Sequence, residues 1–378
     1  MSLAAESLAQ LQGRTGVRSE GLEPALCVSG RCDYMERATL KDIAMRAKVS
    51  ITAVSRALNG YDDIGEETRN RIIEIARELN YQPNFAARSL VTQRSGVMGL
   101  FVLGRVKGEG FSHPFSGQII TGILDELTSR GYDLMVFSAT RPPGENEPSY
   151  LDLCRRRSVE GAFFMGLRLD DPWLPSLKSS PFPIAVLDMA LMGRNTHSVG
   201  IDNVAGAYDA VRHLVDLGHA RIGFINGYGE AMVSHERLQG YKAALLDRGL
   251  EYDPALVVMG DFTSEGAERA LRELMQHSND ITAVFCASDL MATGAMKAAF
   301  DMGLSVPHDL SIVGFDDIDL ASVTSPPLTT VSQPRYELGE TAGRVLADAC
   351  SGLQPPSRVL LKATLVVRGT TCSPPTKQ

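Results

Sequence analysis

Near the N-terminus, a short segment places hydrogen-bonding side chains and packing side chains on opposite faces of one predicted helix. Thr52 and Arg56 are four residues apart and share a face, while Val54 and Leu58 point the other way. A planar guanidinium such as that of Arg56 can donate two hydrogen bonds to the edge of a guanine, and Ile51 or Thr52 can touch the methyl group of a thymine. The types and spacing of these residues therefore indicate readout of base pairs in a DNA groove.

The charge around this helix supports the same interpretation. Residues 37–94 carry 10 basic and 7 acidic side chains, whereas residues 95–378 carry 24 basic and 33 acidic ones. A basic head before an acidic body, within a net charge of −8, is typical of a chain that binds nucleic acid through one part only. Taken alone, Arg56 would be a solvated surface arginine, and the charge of its surroundings favours the DNA contact instead. Four more polar side chains are predicted to hold phosphates: Lys41, Ser50, Ser55 and Asn59.

Three short helices would position these residues. Apolar side chains recur at helical spacing from Leu40, again within residues 51–58 and again within residues 66–79. Thr39 can cap the first helix and Ser50 the second. Three short helices, the first two joined by a tight turn, predict a helix-turn-helix bundle over residues 37–83. Residues 1–36 show no such pattern, so we expect a disordered extension there.

A fourth short helix is predicted after the bundle. Pro83 disfavours helix at the residue before it, and Asn84 can cap a helix that runs to Leu90. Seven residues are too few for a helix that is stable alone. We therefore expect a hinge and linker over residues 84–95, ordered only when another element packs on it.

The rest of the chain alternates apolar runs with amphipathic helical patterns. Examples of the runs are residues 97–103, 161–166, 221–226 and 310–315. Strands that are apolar throughout and separated by helices are typical of parallel sheets covered on both faces. Because the pattern restarts near residues 198–202, we expect two α/β lobes. Such lobes enclose a cleft, and small ligands bind at the strand ends of such sheets.

The order of motifs resembles that of the LacI/GalR family of bacterial repressors over residues 37–372. In the head the matching segments are TLKDIAMRAKVSITAVSRALNG at 39–60, EETR at 66–69 and YQPNFAARSL at 81–90. In the body they are DN at 202–203, LGH at 217–219, RLQGY at 237–241, SD at 288–289, GFDD at 314–317 and PLTTV at 327–331. The resemblance implies an α + α/β protein, in which a helix-turn-helix bundle precedes a two-lobed body like that of periplasmic binding proteins.

The boundaries expected for that body follow the apolar runs. Lobe 1 is predicted to comprise about residues 96–200 and 333–358, and lobe 2 about residues 201–332 and 359–372. Residues 373–378 would be a short tail, and since no heptad pattern follows Cys372 we expect a dimer and not a tetramer.

For DNA binding, the resemblance implies a homodimer on a near-palindromic, double-stranded operator, whose symmetry matches that of the protein. Paired hinge helices would enter the minor groove, where Leu90 wedges between base pairs and kinks the duplex. The resemblance implies that Asn84, Ala87 and Arg88 would belong to the same DNA-binding helix. The alternative for Leu90 is packing against the body.

For ligand binding, the resemblance implies a small effector in the cleft. It places Asp188, Arg237, Asp289 and Asp316 at polar positions of the cleft and Phe115 at its lip. Carboxylates and a guanidinium can bind neighbouring hydroxyls in pairs, and an aromatic ring packs on the C–H face of a sugar. A carbohydrate or similar polyol is the expected ligand. Helix capping or hinge ion pairing is the alternative role for each carboxylate.

Several positions depart from the family pattern. Lys48 stands where the family often has Gly or Asn, at a turn that favours a left-handed backbone. Gly65 stands where Ser or Thr commonly caps the third helix. Arg335, expected in the ligand site near a crossing between the lobes, favours a phosphorylated or acidic ligand. Ala231 and Val233 disfavour a purine, since purine-binding relatives would carry polar groups there.

Other function classes lack their patterns in this sequence. The glycines at 104, 108 and 110 do not have dinucleotide-binding spacing, and the seven histidines are scattered, so we expect no catalytic residue, metal or cofactor. Six scattered cysteines do not suggest disulfides. No secretory signal or membrane-spanning run is evident, so a cytoplasmic protein is expected.

Two alternatives share part of this pattern. A solute-binding protein of a transport system would have the same two-lobed body. Such a protein would carry a secretory signal and would lack a DNA-binding head, which is the reverse of the pattern seen here. A sugar-handling enzyme with an accessory DNA-binding head would need a set of catalytic residues, and the sequence suggests none.

Overall fold

The computed structural model describes residues 38–58, 60–81, 94–104, 114–139, 148–278 and 280–375. They belong to two compact units, a head within residues 1–84 and a body within residues 85–378.

The head contains the three predicted helices, α1 (Leu40–Ala47), α2 (Ile51–Leu58) and α3 (Glu66–Glu78). Thr39 and Asp42 form a reciprocal cap at the start of α1, and the Ser50 hydroxyl accepts a hydrogen bond from the Ala53 amide at 3.1 Å. Their apolar faces meet in a small core: Ile43, Ala44, Ala47, Val54, Ala57, Ile72 and Ala76. Lys48 ends α1 in the left-handed conformation that its position predicts, with φ 56°.

The body alternates strands and helices along the chain. In order these are β1 (Val97–Leu103), α4 (Ser116–Ser129), β2 (Asp133–Ala139), α5 (Tyr150–Arg156), β3 (Gly161–Met165), α6 (Leu174–Lys178), β4 (Ile184–Leu187), β5 (Thr196–Ile201), α7 (Asn203–Asp216), β6 (Ile222–Asn226), α8 (Met232–Asp247), β7 (Val257–Met259), α9 (Ser264–His277), β8 (Ala283–Cys286), α10 (Asp289–Asp301), β9 (Ser311–Asp316), α11 (Asp319–Val323), β10 (Thr329–Ser332), α12 (Arg335–Cys350), β11 (Arg358–Leu361) and β12 (Thr364–Val366).

The strands form two six-stranded sheets of the same design. The first has the order β11-β5-β4-β3-β1-β2 and is parallel throughout. The second has the order β12-β10-β9-β8-β6-β7 and is parallel except for β12. All residues of β3, β4, β6, β8 and β9 are buried, as expected for sheets covered on both faces. The predicted two-lobed fold class is confirmed.

The chain crosses between the lobes three times, and the last crossing differs from the prediction. Strand β11 pairs with β5 along Arg358–Leu361, so lobe 1 continues to Leu361 and does not end at residue 358. Ile201, assigned to lobe 2 by the prediction, also pairs in the first sheet. Residues 358–366 read as one extended segment, and the sequence offers no turn signal where the strand of one lobe passes into that of the other.

Candidate functional site

Helix α2 presents the side chains that the sequence predicts to meet DNA. Ile51, Thr52 and Arg56 are exposed, with 49% of Ile51 accessible, while Val54 is fully buried. An exposed apolar side chain can contact the methyl group of a thymine, and a nearby guanidinium can donate to the polar groups of a base edge. Ser50 and Lys41 are exposed as well, and Ser55 is half-buried.

The other predicted DNA-binding residues are Asn59, Asn84, Ala87, Arg88 and Leu90. All five lie outside the described residues, so their roles stay predictions.

In the body, a cavity that is partly open to solvent lies between the two lobes. It forms where the carboxyl ends of strands in both sheets face each other, the position at which such sheets bind ligands. Its walls are mostly apolar: Val102, Leu103, Phe115, Met165, Leu167, Leu187, Tyr228, Ala231, Met232, Val233 and Phe262. Four of the predicted residues line it, namely Phe115, Asp188, Arg237 and Asp316.

Arg237 is held rigidly at the floor of the cavity. Its Nε donates to Oδ1 of Asn203 at 2.9 Å, and Nη1 donates to the carbonyl of Ala287. The guanidinium lies 3.8 Å from the ring centroid of Phe315 and 3.8 Å from Oδ1 of Asp316. Only 4% of Arg237 is accessible. A buried cation fixed in this way supplies a preorganised positive charge to a ligand.

Asp188 lines the cavity and keeps one carboxylate oxygen without a hydrogen-bond partner among the described residues. That oxygen, Oδ1, is buried. Burial raises the pKa of Asp188 to about 6, although the charge of Arg237 lowers it. Its backbone has φ 58°, a left-handed conformation that L-residues rarely adopt. A buried acceptor without a donor is costly, so a ligand hydroxyl or amino group that donates to Oδ1 would be bound favourably.

The structure does not bring Asp289 or Arg335 to the cavity. Asp289 is fully buried, where it accepts hydrogen bonds from the Ile318 amide and the Thr330 hydroxyl. Burial, and then the charge of Asp316, raise the pKa of Asp289. Its contacts fix the turn that follows β9, a structural role.

Arg335 joins the lobes instead of facing a ligand. It starts α12 in lobe 1 and donates to the carbonyl of Asp317 in lobe 2 at 3.0 Å and to that of Pro114 at 3.3 Å. Asp319 lies 3.6 Å away. Pro114 precedes Phe115, so Arg335 positions the lip of the cavity.

Two aromatic residues of the cavity were missed by the sequence analysis. Tyr228 and Phe262 meet edge to face, with 5.3 Å between ring centroids. Phe262 follows β7, and both it and Asp261 have φ 57°, which turns the chain sharply. The ring of Phe262 packs so closely on Gly227 that a Cβ there would overlap it. Gly227 was the one sequence feature that could have indicated this contact, because a ring can pack this closely only on a residue without a side chain.

A set of contacts bridges the lobes beside the cavity. The Leu169 amide donates to the carbonyl of Glu230 at 2.8 Å, and Nη2 of Arg168 lies 3.6 Å from the Glu230 carboxylate. Met232 of lobe 2 packs on the same lobe 1 cluster as Trp173. We call the contacts of Arg168, Leu169 and Glu230 the cleft bridge. It holds the lobes together at the side of the cavity formed by Leu167 and Tyr228.

Two kinds of feature were sought only where the structure describes the chain. No group of three or more His, Cys, Asp or Glu side chains there could hold a metal ion. Among the same residues, no helix is long and apolar enough to span a membrane.

Comparisons with known proteins agree with both units. Residues 39–84 match the family model of bacterial regulatory proteins, lacI family, and residues 211–371 match a periplasmic binding protein-like domain. The chain is 38% identical to the HTH-type transcriptional repressor CytR of Escherichia coli K12, covering 88% of this chain and 96% of the relative. It is 36% identical to the HTH-type transcriptional regulator CelR of Thermobifida fusca, covering 88% and 98%.

Solved structures give the same result. A crystal structure of the lac repressor dimer bound to operator and an anti-inducer is 28% identical, with a TM-score of 0.74, and the match covers 89% of this chain and 100% of that one. A complex of the transcriptional regulator CelR with cellobiose is 33% identical, with a TM-score of 0.65, covering 88% and 100%. The chain therefore belongs to the lacI family of bacterial regulatory proteins and is a DNA-binding transcription regulator.

Proposed function

We propose that the protein represses transcription in the cytoplasm by binding a near-palindromic operator as a homodimer, and that a small ligand in the cleft sets its affinity for that DNA. The exposed face of α2 carries the proposal, because Ile51, Thr52 and Arg56 can read base edges there. A transport solute-binding protein would share the two lobes but would have no use for helices α1 to α3.

The cavity supports a sugar or a molecule that contains one. Asp188 can accept from a hydroxyl, Arg237 can donate to one, and the rings of Phe115, Tyr228 and Phe262 can pack on C–H faces. The reason for expecting an acidic ligand falls away, because Arg335 is engaged by the carbonyls of Pro114 and Asp317. The relatives point the same way, since the solved CelR complex contains cellobiose.

Control of DNA binding would run through the lobes. A ligand that binds one separation of the lobes more tightly than another shifts the protein toward that state. We expect this shift to change the spacing of the two hinge segments in the dimer, and so the fraction of hinge helix that is ordered.

The first test is a pull-down of fragmented genomic DNA by the purified protein without ligand, followed by sequencing. Enrichment of one short palindrome is expected, and cellobiose, ribose and a panel of nucleosides would then be tested for release of that DNA. If no sequence is enriched, either with or without these compounds, the proposal fails.

Leu90→Ala tests the hinge. We expect weaker operator binding at unchanged ligand affinity, since the leucine would act only on the DNA. An equal loss of both affinities would contradict the mechanism.

A further inference from the structure

The loop after α2 is fixed to the helix by its main chain. The Tyr61 amide donates to the carbonyl of Arg56 at 3.1 Å and the Gly60 amide to that of Ala57 at 3.3 Å. From the other side, the Arg69 guanidinium of α3 donates to the carbonyl of Tyr61. The residues that follow Tyr61 are therefore held at a set position beside the C-terminal end of α2.

Two side chains of this loop hold the guanidinium of Arg56. Its Nη1 lies 2.9 Å from Oδ2 of Asp63, and its central carbon lies 5.3 Å from the ring centroid of Tyr61. Within the described residues of the head, the guanidinium makes no other hydrogen bond or ion pair. Its Nε and Nη2 are thus left as donors for an acceptor outside the protein. Arg56 and Asp63 are both half-exposed.

We infer that Asp63 is a positioning residue for sequence readout, whose carboxylate holds one side of the Arg56 guanidinium so that the remaining N–H groups meet a guanine. The inference rests on the proposed binding of operator DNA. A free arginine side chain loses conformational entropy when DNA orders it, and an arginine already held in place loses less. The guanidinium is planar and carries five donors, so one nitrogen can bind a carboxylate while two others bind O6 and N7 of guanine.

The inference is testable because a carboxylate at Asp63 could act on DNA binding in two different ways. A carboxylate near DNA repels phosphates, so its neutralisation alone should strengthen binding to every sequence. If Asp63 positions Arg56, its neutralisation should instead weaken discrimination at one base pair. The two roles predict changes of different kinds and can be separated by comparing cognate and altered DNA.

The matched control is Asp62→Asn. It removes the same charge from the neighbouring residue, whose carboxylate is fully exposed and lies 4.0 Å from Arg69, not at Arg56. Full-length wild type, D62N, D63N, R56Q and the double variant R56Q/D63N would each be selected on random duplexes at one salt concentration. Dissociation constants would then be measured for the selected duplex and for single base-pair changes.

The base pair at which R56Q loses selectivity identifies the contact of Arg56. We expect D63N to lose at least about 5-fold in discrimination at that base pair and at no other, the low end of what one bidentate contact contributes. D62N should discriminate like wild type, and D63N should not change discrimination further when Arg56 is already Gln.

Two results would overturn the inference. One is discrimination by D63N equal to that of D62N, and the other is a loss spread evenly over all base pairs, which would indicate a general structural role. Failure of the proposed function is distinguishable, because in that case wild type itself would select no sequence.

Discussion

The carbonyl oxygen of Glu230 accepts a hydrogen bond from the amide of Leu169 at 2.8 Å, and this bond joins the two lobes across the cleft. Outside the crossing segments, it is the one main-chain hydrogen bond between the lobes among the described residues. The Arg168 guanidinium is oriented for the same partner by two hydrogen bonds to Asp170, at 2.9 and 2.8 Å. Opening of the cleft requires these contacts to break.

Arg168→Ala should loosen this bridge. Exposed ion pairs contribute up to about 1 kcal/mol, so we expect the Leu169 amide to exchange its hydrogen about 2-fold to 5-fold faster. Hydrogen exchange of the ligand-free protein measures this directly. Arg155→Ala is the control, because its ion pair with Asp152 lies within lobe 1. Equal exchange in the two variants would show that Arg168 does not hold the lobes together.

Gly227→Ala should displace Phe262 from the cavity wall. The added methyl group would overlap the ring, and overpacking of this kind costs about 1–3 kcal/mol. We expect a lower melting temperature and weaker binding of whichever ligand releases the operator. Gly229→Ala makes the same change two residues along the chain, where no atom lies within 4 Å, and should leave both quantities unchanged. Equal melting temperatures and ligand affinities in the two variants would show that the ring of Phe262 moves aside at little cost.

Asp188→Asn should change how stability depends on pH. Burial raises the pKa of Asp188 to about 6, above the value of about 3.9 in an unfolded chain. The folded protein thus holds this proton more tightly, and the stability from the group is full below pH 4 and lost as the pH rises through 6. The loss amounts to about 3 kcal/mol at pH 8.

The amide that D188N introduces carries no charge, so this variant should be more stable than wild type at pH 8, and its advantage should shrink toward pH 5. Asparagine also tolerates the left-handed backbone at this position. Urea unfolding without ligand at both pH values measures the difference. Asp133→Asn, at an exposed carboxylate of the same lobe, is the control. An advantage that is equal at the two pH values would contradict the assignment.

Lys48→Gly should stabilise the head. Lys48 adopts φ 56° and ψ 44°, a conformation that is unfavourable for a side chain by about 1 kcal/mol and free for glycine. Exchange of the Val54 amide in the full-length protein should slow accordingly. Lys41→Gly, in the first turn of α1, should speed that exchange, because glycine destabilises a helix relative to lysine by up to about 1 kcal/mol. Faster exchange in both variants would show that the left-handed turn is not strained.

Local patterns were enough to predict the helices of the head and the alternation of the body. Ile43 and Val54 follow a helical period, and β3 is an uninterrupted apolar run, so each element is encoded within a few neighbouring residues. The turn at Lys48 was predictable for the same reason. The last crossing, after Leu361, was not, because the strands on either side of it form one extended stretch of sequence.

The cavity was only partly predictable. Asp188 and Arg237 were placed correctly by resemblance, whereas Asp289 also lies in a matching motif but is fully buried and does not line the cavity. The burial of Asp289 depends on the turn after β9, where Asp316 and Asp317 both have positive φ. Phe262 reaches the cavity through a left-handed backbone that its own sequence does not reveal, since non-glycine residues seldom adopt it.

Trp173 is the single tryptophan of the chain, and it packs on the same cluster as Met232, a residue that crosses from the opposite lobe. Because Met232 packs on that shared cluster, we expect a change in the separation of the lobes to alter the surroundings of the indole ring. The intrinsic fluorescence of Trp173 can therefore be followed in the unmodified protein while compounds are added one by one. Effectors could be found in this way before any operator is known.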